Sequence, residues 1–192
     1  MVGTSNVVSL GDLNGDGILD IVNAGYIGAT GFANIRLGVG NGTFGAPASY
    51  ATESGPTFGI ALGDLNADGI LDLVTAGNSG GGTATVRLGR GNGTFGTAIT
   101  YAAETSISLA VSLGDLNGDG VLDLTTFGEA GATAWATTRL GNGDGSFAAA
   151  MSYNSQLSSA RTAALGDLNG DGILDLVVGG IGTEGRTAVR LS

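Results

Sequence analysis

Apolar and polar residues alternate along short segments of the chain. In "TATVRL", Thr83 to Leu88, Ala84, Val86 and Leu88 fall on one face and Thr83, Thr85 and Arg87 on the other, the two-residue period of a strand. "TAVRL", near the end, behaves alike. The runs "ILDIV", "ILDLV" and "VLDLT" each follow a stretch rich in glycine and aspartate, and "NVVSL", "FGIAL", "LAVSL" and "RTAAL" each precede one. "GNGTF", ending at Phe44 and Phe95, and "GDGSF", ending at Phe147, are turns of the kind that close hairpins. No segment keeps the spacing of an amphipathic helix, so the elements predicted are strands throughout.

The strands recur in a fixed order. "GDLNGDGILD" at Gly11 returns at Gly63, with Ala67 replacing a glycine, and again at Gly114 and Gly166, in steps of 52, 51 and 52 residues. "RLG" keeps the same step at Arg36, Arg87 and Arg139, shortened to "RLS" at Arg190; Tyr50, Tyr101 and Tyr153 each follow the hairpin phenylalanine by six residues. Each unit reads as four strands: one entering the acidic loop, one leaving it, one ending in "RLG" and one carrying the tyrosine. Antiparallel four-stranded units of roughly 50 residues predict an all-β fold, a β-propeller of four-stranded blades; a β-roll would repeat about every nine residues. The chain is expected to be a single repeat array over 1–192, with blades at 1–52, 53–103, 104–155 and 156–192, the last lacking its outer strand.

Composition narrows the function classes. Of 17 acidic residues, 12 are the aspartates of the four acidic decapeptides, so the net charge of −10 is concentrated in loops. The seven basic residues are all arginine, and no basic stripe exists for a phosphate backbone, which excludes nucleic acid. There is no cysteine for disulfide or thiolate chemistry, and no histidine. No run of 18 apolar residues predicts a membrane span.

The acidic loop carries the candidate chemistry. Calcium takes six to eight oxygens at about 2.3–2.6 Å, and alternate side chains of a short loop can converge on one ion. Counting from Asp12, the first loop offers Asp12, Asn14 and Asp16 at positions one, three and five, the Ile18 carbonyl at seven and Asp20 at nine, with Gly17 turning the chain. The same register gives Asp64, Asn66, Asp68, Ile70 and Asp72; Asp115, Asn117, Asp119, Val121 and Asp123; and Asp167, Asn169, Asp171, Ile173 and Asp175. Leu13, Ile18 and Leu19 are left for packing, and Ala67 falls where no ligand is assigned. Oxygen donors alone favour calcium over zinc or copper, and magnesium demands a stricter octahedron. An EF-hand would place a glutamate at position twelve, where this chain has Asn23, Thr75, Thr126 and Val178. The competing reading, a turn capped by its own side chains, has to account for four copies with every ligand type intact.

A DxNxDGxxD loop inside a β unit, led in by "FGIALGD" at Phe58 to Asp64, resembles the FG-GAP repeat of the integrin α-subunit propeller and its bacterial VCBS relatives. The resemblance covers essentially the whole chain. It implies calcium loops on one rim and adhesion or recognition on other faces, which makes the expected protein a non-catalytic calcium-binding scaffold, extracellular or on the cell surface, with four Ca2+ per chain. A glycan-binding, lectin-type propeller is the alternative, with Tyr26, Phe32, Tyr50, Tyr101, Tyr153 and Trp135 as aromatics; Trp135, aligned with Thr85, has no aromatic counterpart. An amplified or designed scaffold with no natural ligand is a third reading. The repeated tyrosines are expected between blades, and the repeated arginines bonded to a neighbouring blade. Partners expected are calcium, a protein or glycan ligand, and a second copy completing an eight-bladed ring; a closed four-bladed monomer and an excised piece of a longer protein are the other arrangements. Catalysis is not expected, because ligand aspartates must be ionised and the chain has neither histidine, cysteine nor lysine.

Overall fold

The computed structural model describes residues 3–103, 106–181 and 187–190, and the side chains of 160, 161 and 187–190 lie outside the described residues, Arg190 among them. No described residue is helical. The first sheet runs β1 (Thr4–Gly11), β2 (Asp20–Ile27), β3 (Thr30–Arg36) and β4 (Ala48–Ala51). The second has β5 (Thr57–Gly63), β6 (Asp72–Asn78), β7 (Gly82–Arg87) and β8 (Ile99–Ala102). The third has β9 (Ile107–Gly114), β10 (Asp123–Ala130), β11 (Thr133–Arg139) and β12 (Met151–Asn154). The fourth has three described strands, β13 (Ser159–Gly166), β14 (Asp175–Ile181) and β15 (Thr187–Arg190). Every pairing is between chain neighbours and antiparallel, so each sheet is a simple meander.

The acidic loop joins the first two strands of each sheet. Pairing ends at Gly11↔Asp20, Gly63↔Asp72, Gly114↔Asp123 and Gly166↔Asp175, which puts the loop at one end of each sheet. β1, β5, β9 and β13 lie against one another in that order, so successive sheets stack through their first strands. Among the described residues no extended contact joins β1 to β13.

The apolar core lies between sheets. Leu13, Val22 and Ile35 of the first sheet pack with Leu73 and Phe95 of the second, Leu65, Val74 and Val86 of the second with Val111, Leu124 and Phe147 of the third, and Phe127 and Ala136 of the third with Leu176 and Val178 of the fourth. Covered on both faces, β6 from Asp72 to Gly77 and β10 from Asp123 to Gly128 are buried at every position, whereas β2 and β14 are not. Threonine suits such a strand, because its branched side chain fills the pleat and its hydroxyl finds a partner. Thr75 donates to the buried Glu53 at 2.8 Å, and the Thr125 and Thr138 hydroxyls lie 3.1 Å apart.

Pairing corrects one alignment. Trp135 lies opposite Gly128 as Phe32 lies opposite Gly25, and the second-sheet equivalent opposite Gly77 is Thr83, not Thr85. Trp135 therefore does have an aromatic counterpart.

Candidate metal centre

Each acidic loop is wrapped around its first aspartate. Asp12 accepts the backbone N–H of Gly15 at 2.7 Å, Asp16 at 3.2 Å and Asn14 at 3.3 Å on Oδ1, and that of Gly17 at 2.8 Å on Oδ2. Asp64, Asp115 and Asp167 likewise take the N–H of Gly69, Gly120 and Gly172 at 2.8, 2.8 and 3.0 Å. These amides stabilise the ionised form: led by the Gly17 N–H at Asp12 and the Gly120 N–H at Asp115, they hold both carboxyls below the usual range. Positions three and five join the same network. Asn14 Nδ2 donates to Asp16 Oδ2 at 2.9 Å, Asn14 Oδ1 accepts the Asp16 N–H at 3.1 Å, and Asp16 Oδ1 accepts the Ile18 N–H at 2.8 Å. The Asn Nδ2 bond recurs in the other three copies at 2.8–2.9 Å.

The position-nine aspartate has different surroundings. Asp20 is fully buried, with Oδ2 accepting the Leu13 N–H and Oδ1 the Gly38 N–H, each at 2.8 Å. Asp72 ties Leu65 and Gly89 at 2.8 and 2.7 Å, Asp123 ties Leu116 and Gly141, both at 2.8 Å, and Asp175 holds Leu168 at 2.8 Å. In the first three sheets one side chain thus staples the start of the loop to the glycine of "RLG" just past the third strand. Burial pushes the Asp72 and Asp123 carboxyls up, against the N–H groups that lower them; Asp68 and Asp64, and Asp119 and Asp115, add to the rise.

The structure thus brings positions one, three and five into one hydrogen-bonded network and sets position nine behind it as a brace. Among the described residues no three Asp, Glu, His or Cys side chains are gathered as a preformed metal cluster. The donor set nonetheless fits a hard cation. Every candidate side chain is an oxygen donor, position one is held ionised, and each carboxylate oxygen has more than one acceptor site, so N–H bonds leave lone pairs for an ion.

One expectation about the loop needs correction. Leu19 is 58% exposed rather than packed into the core, while Leu13 is buried and Ile18 lies against Gly38 and Gly40. Ala67, placed where no ligand was assigned, does have a backbone role: its φ is +58°, in the left-handed region that Gly15, Gly118 and Gly170 occupy at +74° to +78°. Open space surrounds Gly15, so the side chain itself is not crowded there and the penalty is purely torsional. Ala67→Gly is expected to raise stability by about 1 kcal/mol, the left-handed penalty less the extra entropy glycine has when unfolded. Urea denaturation of the two proteins side by side checks it.

Tyr50, Tyr101, Arg87 and Arg139 bridge neighbouring sheets as expected, whereas Arg36 donates Nη1 to the Gly45 carbonyl of its own sheet at 3.1 Å. The Tyr50 hydroxyl accepts the Phe95 N–H at 3.1 Å and its ring meets Phe95 edge-on at 5.7 Å; Tyr101 and Phe147 repeat both contacts at 3.1 and 5.6 Å. Arg87 lies over the Tyr50 ring and donates Nη2 to the Ala51 carbonyl at 2.9 Å, and Arg139 does the same to Tyr101 and to Ala102 at 2.8 Å. The gap lined by Ala84, Tyr101, Leu124, Thr137 and Arg139 has no room for a water molecule. The rings of Tyr50 and Tyr101 are thus engaged in contacts with the next sheet.

Sequence reasoning missed the glycine that opens each decapeptide. A Cβ on Gly11 would lie 2.7 Å from Leu71 Cδ1 and 3.0 Å from Leu62 Cδ1, and Gly63 and Gly114 meet the corresponding leucines of the next sheet at 2.7–2.9 Å. Its presence in all four copies, inside an otherwise apolar strand, was the available signal.

Comparison with known families and structures follows the same lines. The FG-GAP-like repeat matches residues 12–75 and 64–126, and the FG-GAP repeat matches residues 159–188. No curated protein matches the chain. Among solved structures, Bacillus licheniformis Rhamnogalacturonan Lyase PL11 superposes with a TM-score of 0.61 at 12% identity, over 91% of this chain. The chain spans 40% of that lyase's length, and at this identity the likeness is one of fold alone.

Proposed function

The chain belongs to the FG-GAP-like repeat family, and from that premise we propose that it is a non-catalytic, calcium-stabilised propeller scaffold for adhesion or protein recognition outside the cell. The observation that carries the reading is the loop itself: the same oxygen donors recur four times, wrapped alike and braced by a buried aspartate at position nine. Asp12, Asn14, Asp16 and the Ile18 carbonyl would hold the ion, with Asp20 closing the loop, and the corresponding residues would do so in the other three copies. Calcium would supply charge compensation. Four ions take the formal net charge from −10 to −2 and offset repulsion among three carboxylates per loop.

Sites of this kind in extracellular modules have Kd on the order of 10⁻⁴–10⁻³ M, a range filled outside the cell and nearly empty in the cytosol. The aspartates are committed to backbone amides, and no histidine, cysteine or lysine is present to form a nucleophile–base pair, which supports a binding role over catalysis. Isothermal titration with calcium is expected to find four sites per chain, falling to three in Asp64→Ala. A flat titration at millimolar calcium would sink the proposal.

A further inference from the structure

Each joint between sheets has the same two halves. The later sheet inserts leucines, Leu62 and Leu71 in the first joint, Leu113 and Leu122 in the second, Leu165 and Leu174 in the third; the earlier sheet receives them on Gly11, Gly63 or Gly114. In the first two joints the hairpin of the later sheet completes the contact. Gly93 donates its N–H to the Leu13 carbonyl and Gly145 to that of Leu65, both at 3.1 Å, while Phe95 and Phe147 cover those leucines.

The first and fourth sheets each carry one half without the other. On the first, Val8, Leu10 and Leu19 are 63%, 56% and 58% exposed, although their counterparts Ile60, Leu62 and Leu71 all pack into the first joint. Phe44 is 39% exposed where Phe95 and Phe147 are 4% and 8%. On the fourth, a Cβ on Gly166 would meet nothing within 4 Å, and Leu168 is 56% exposed where Leu13 and Leu65 are 2% and 3%. The inserting residues of one end are thus those that the receiving residues of the other end already accept three times within the chain.

We propose that these two faces bind each other between two copies of this chain, Val8, Leu10, Leu19 and Phe44 of one copy seating on Gly166 and Leu168 of the other. The occupant is specified by the chain's own joints, which repeat one pairing of leucines with glycine. Two such contacts, related by a twofold axis, close eight sheets into a ring with no inserting face left over. A contiguous exposed patch of branched side chains is what such an interface presents before assembly.

Sedimentation velocity of the full chain in millimolar calcium tests it. Wild type is expected at twice 18.7 kDa. Leu10→Asp with Leu19→Asp, and separately Gly166→Trp, are expected to sediment as single chains with unchanged circular dichroism, because both sites face solvent in the single chain. Mixing the two variants leaves one intact inserting face and one intact receiving face, so the two-chain species is expected to reappear with weaker affinity. Wild type sedimenting as one chain at every concentration overturns the proposal, as does a mass of three or more chains, a variant that stays two-chain, or a mixture that stays single.

Discussion

Asp72→Ala is expected to lower the unfolding free energy by about 3 kcal/mol and the melting temperature by about 6–12 °C in the absence of calcium. The substitution strips the acceptors from two buried N–H groups, those of Leu65 and Gly89. Each buried donor left unsatisfied costs about 1–3 kcal/mol. Working the other way, the Asp72 carboxylate is destabilised by burial and by Asp68 and Asp64, so its loss relieves some repulsion. The amides decide the sign, because they lie on two separate strands of chain that no other described side chain holds together at that point. Asp72→Asn is expected to show most of the same loss, since its NH2 must face one of the two N–H donors. Asp68→Ala, at an exposed position, is the control and is expected to cost under about 1 kcal/mol in EDTA. Urea denaturation in EDTA separates the roles. If Asp72→Ala and Asp68→Ala prove equal there, position nine is a ligand only and not a brace.

Withdrawing calcium is expected to have an effect of similar size, spread over four places. At calcium a few-fold above Kd, each site contributes about 1 kcal/mol, so four sites give about 4 kcal/mol and a fall of about 8–16 °C on chelation. The effect should grow with the logarithm of calcium concentration, as mass action requires, and magnesium at equal concentration should do less because it gives up water reluctantly. Raising sodium chloride alone should recover only a small part, because screening relieves repulsion without supplying a bond. Scanning calorimetry over a calcium series decides the matter: an unchanged melting temperature from EDTA to millimolar calcium would falsify structural calcium.

Much of the fold was legible because one word is written four times. The period, the strand on each side of the loop and the "RLG" strand all follow from residue spacing, and the sheets occupy those segments. What a repeat does not say is which face of a unit meets which face of the next. Leu13 and Leu168 hold the same place in identical words, yet one is 2% exposed and the other 56%, because a neighbouring sheet covers only the first. Leu19 and Leu71 differ for the same reason. The loop was legible as a set of oxygen donors but not as a division of labour. Four aspartates of equal appearance, Asp20, Asp72, Asp123 and Asp175, are fully buried, and only the folded geometry shows that the first three reach the glycine just past the third strand of their sheet. Glu53, one acid among many in composition, is a core residue that accepts Thr57 Oγ1 at 2.5 Å as well as Thr75.

The joint has a consequence for how such a chain changes over generations. Its two halves, leucines on one face and glycine on the other, are written into every unit, so any copy can follow any other without a new contact being invented. Recombination that adds or removes a whole unit in register leaves the remaining seams as they were.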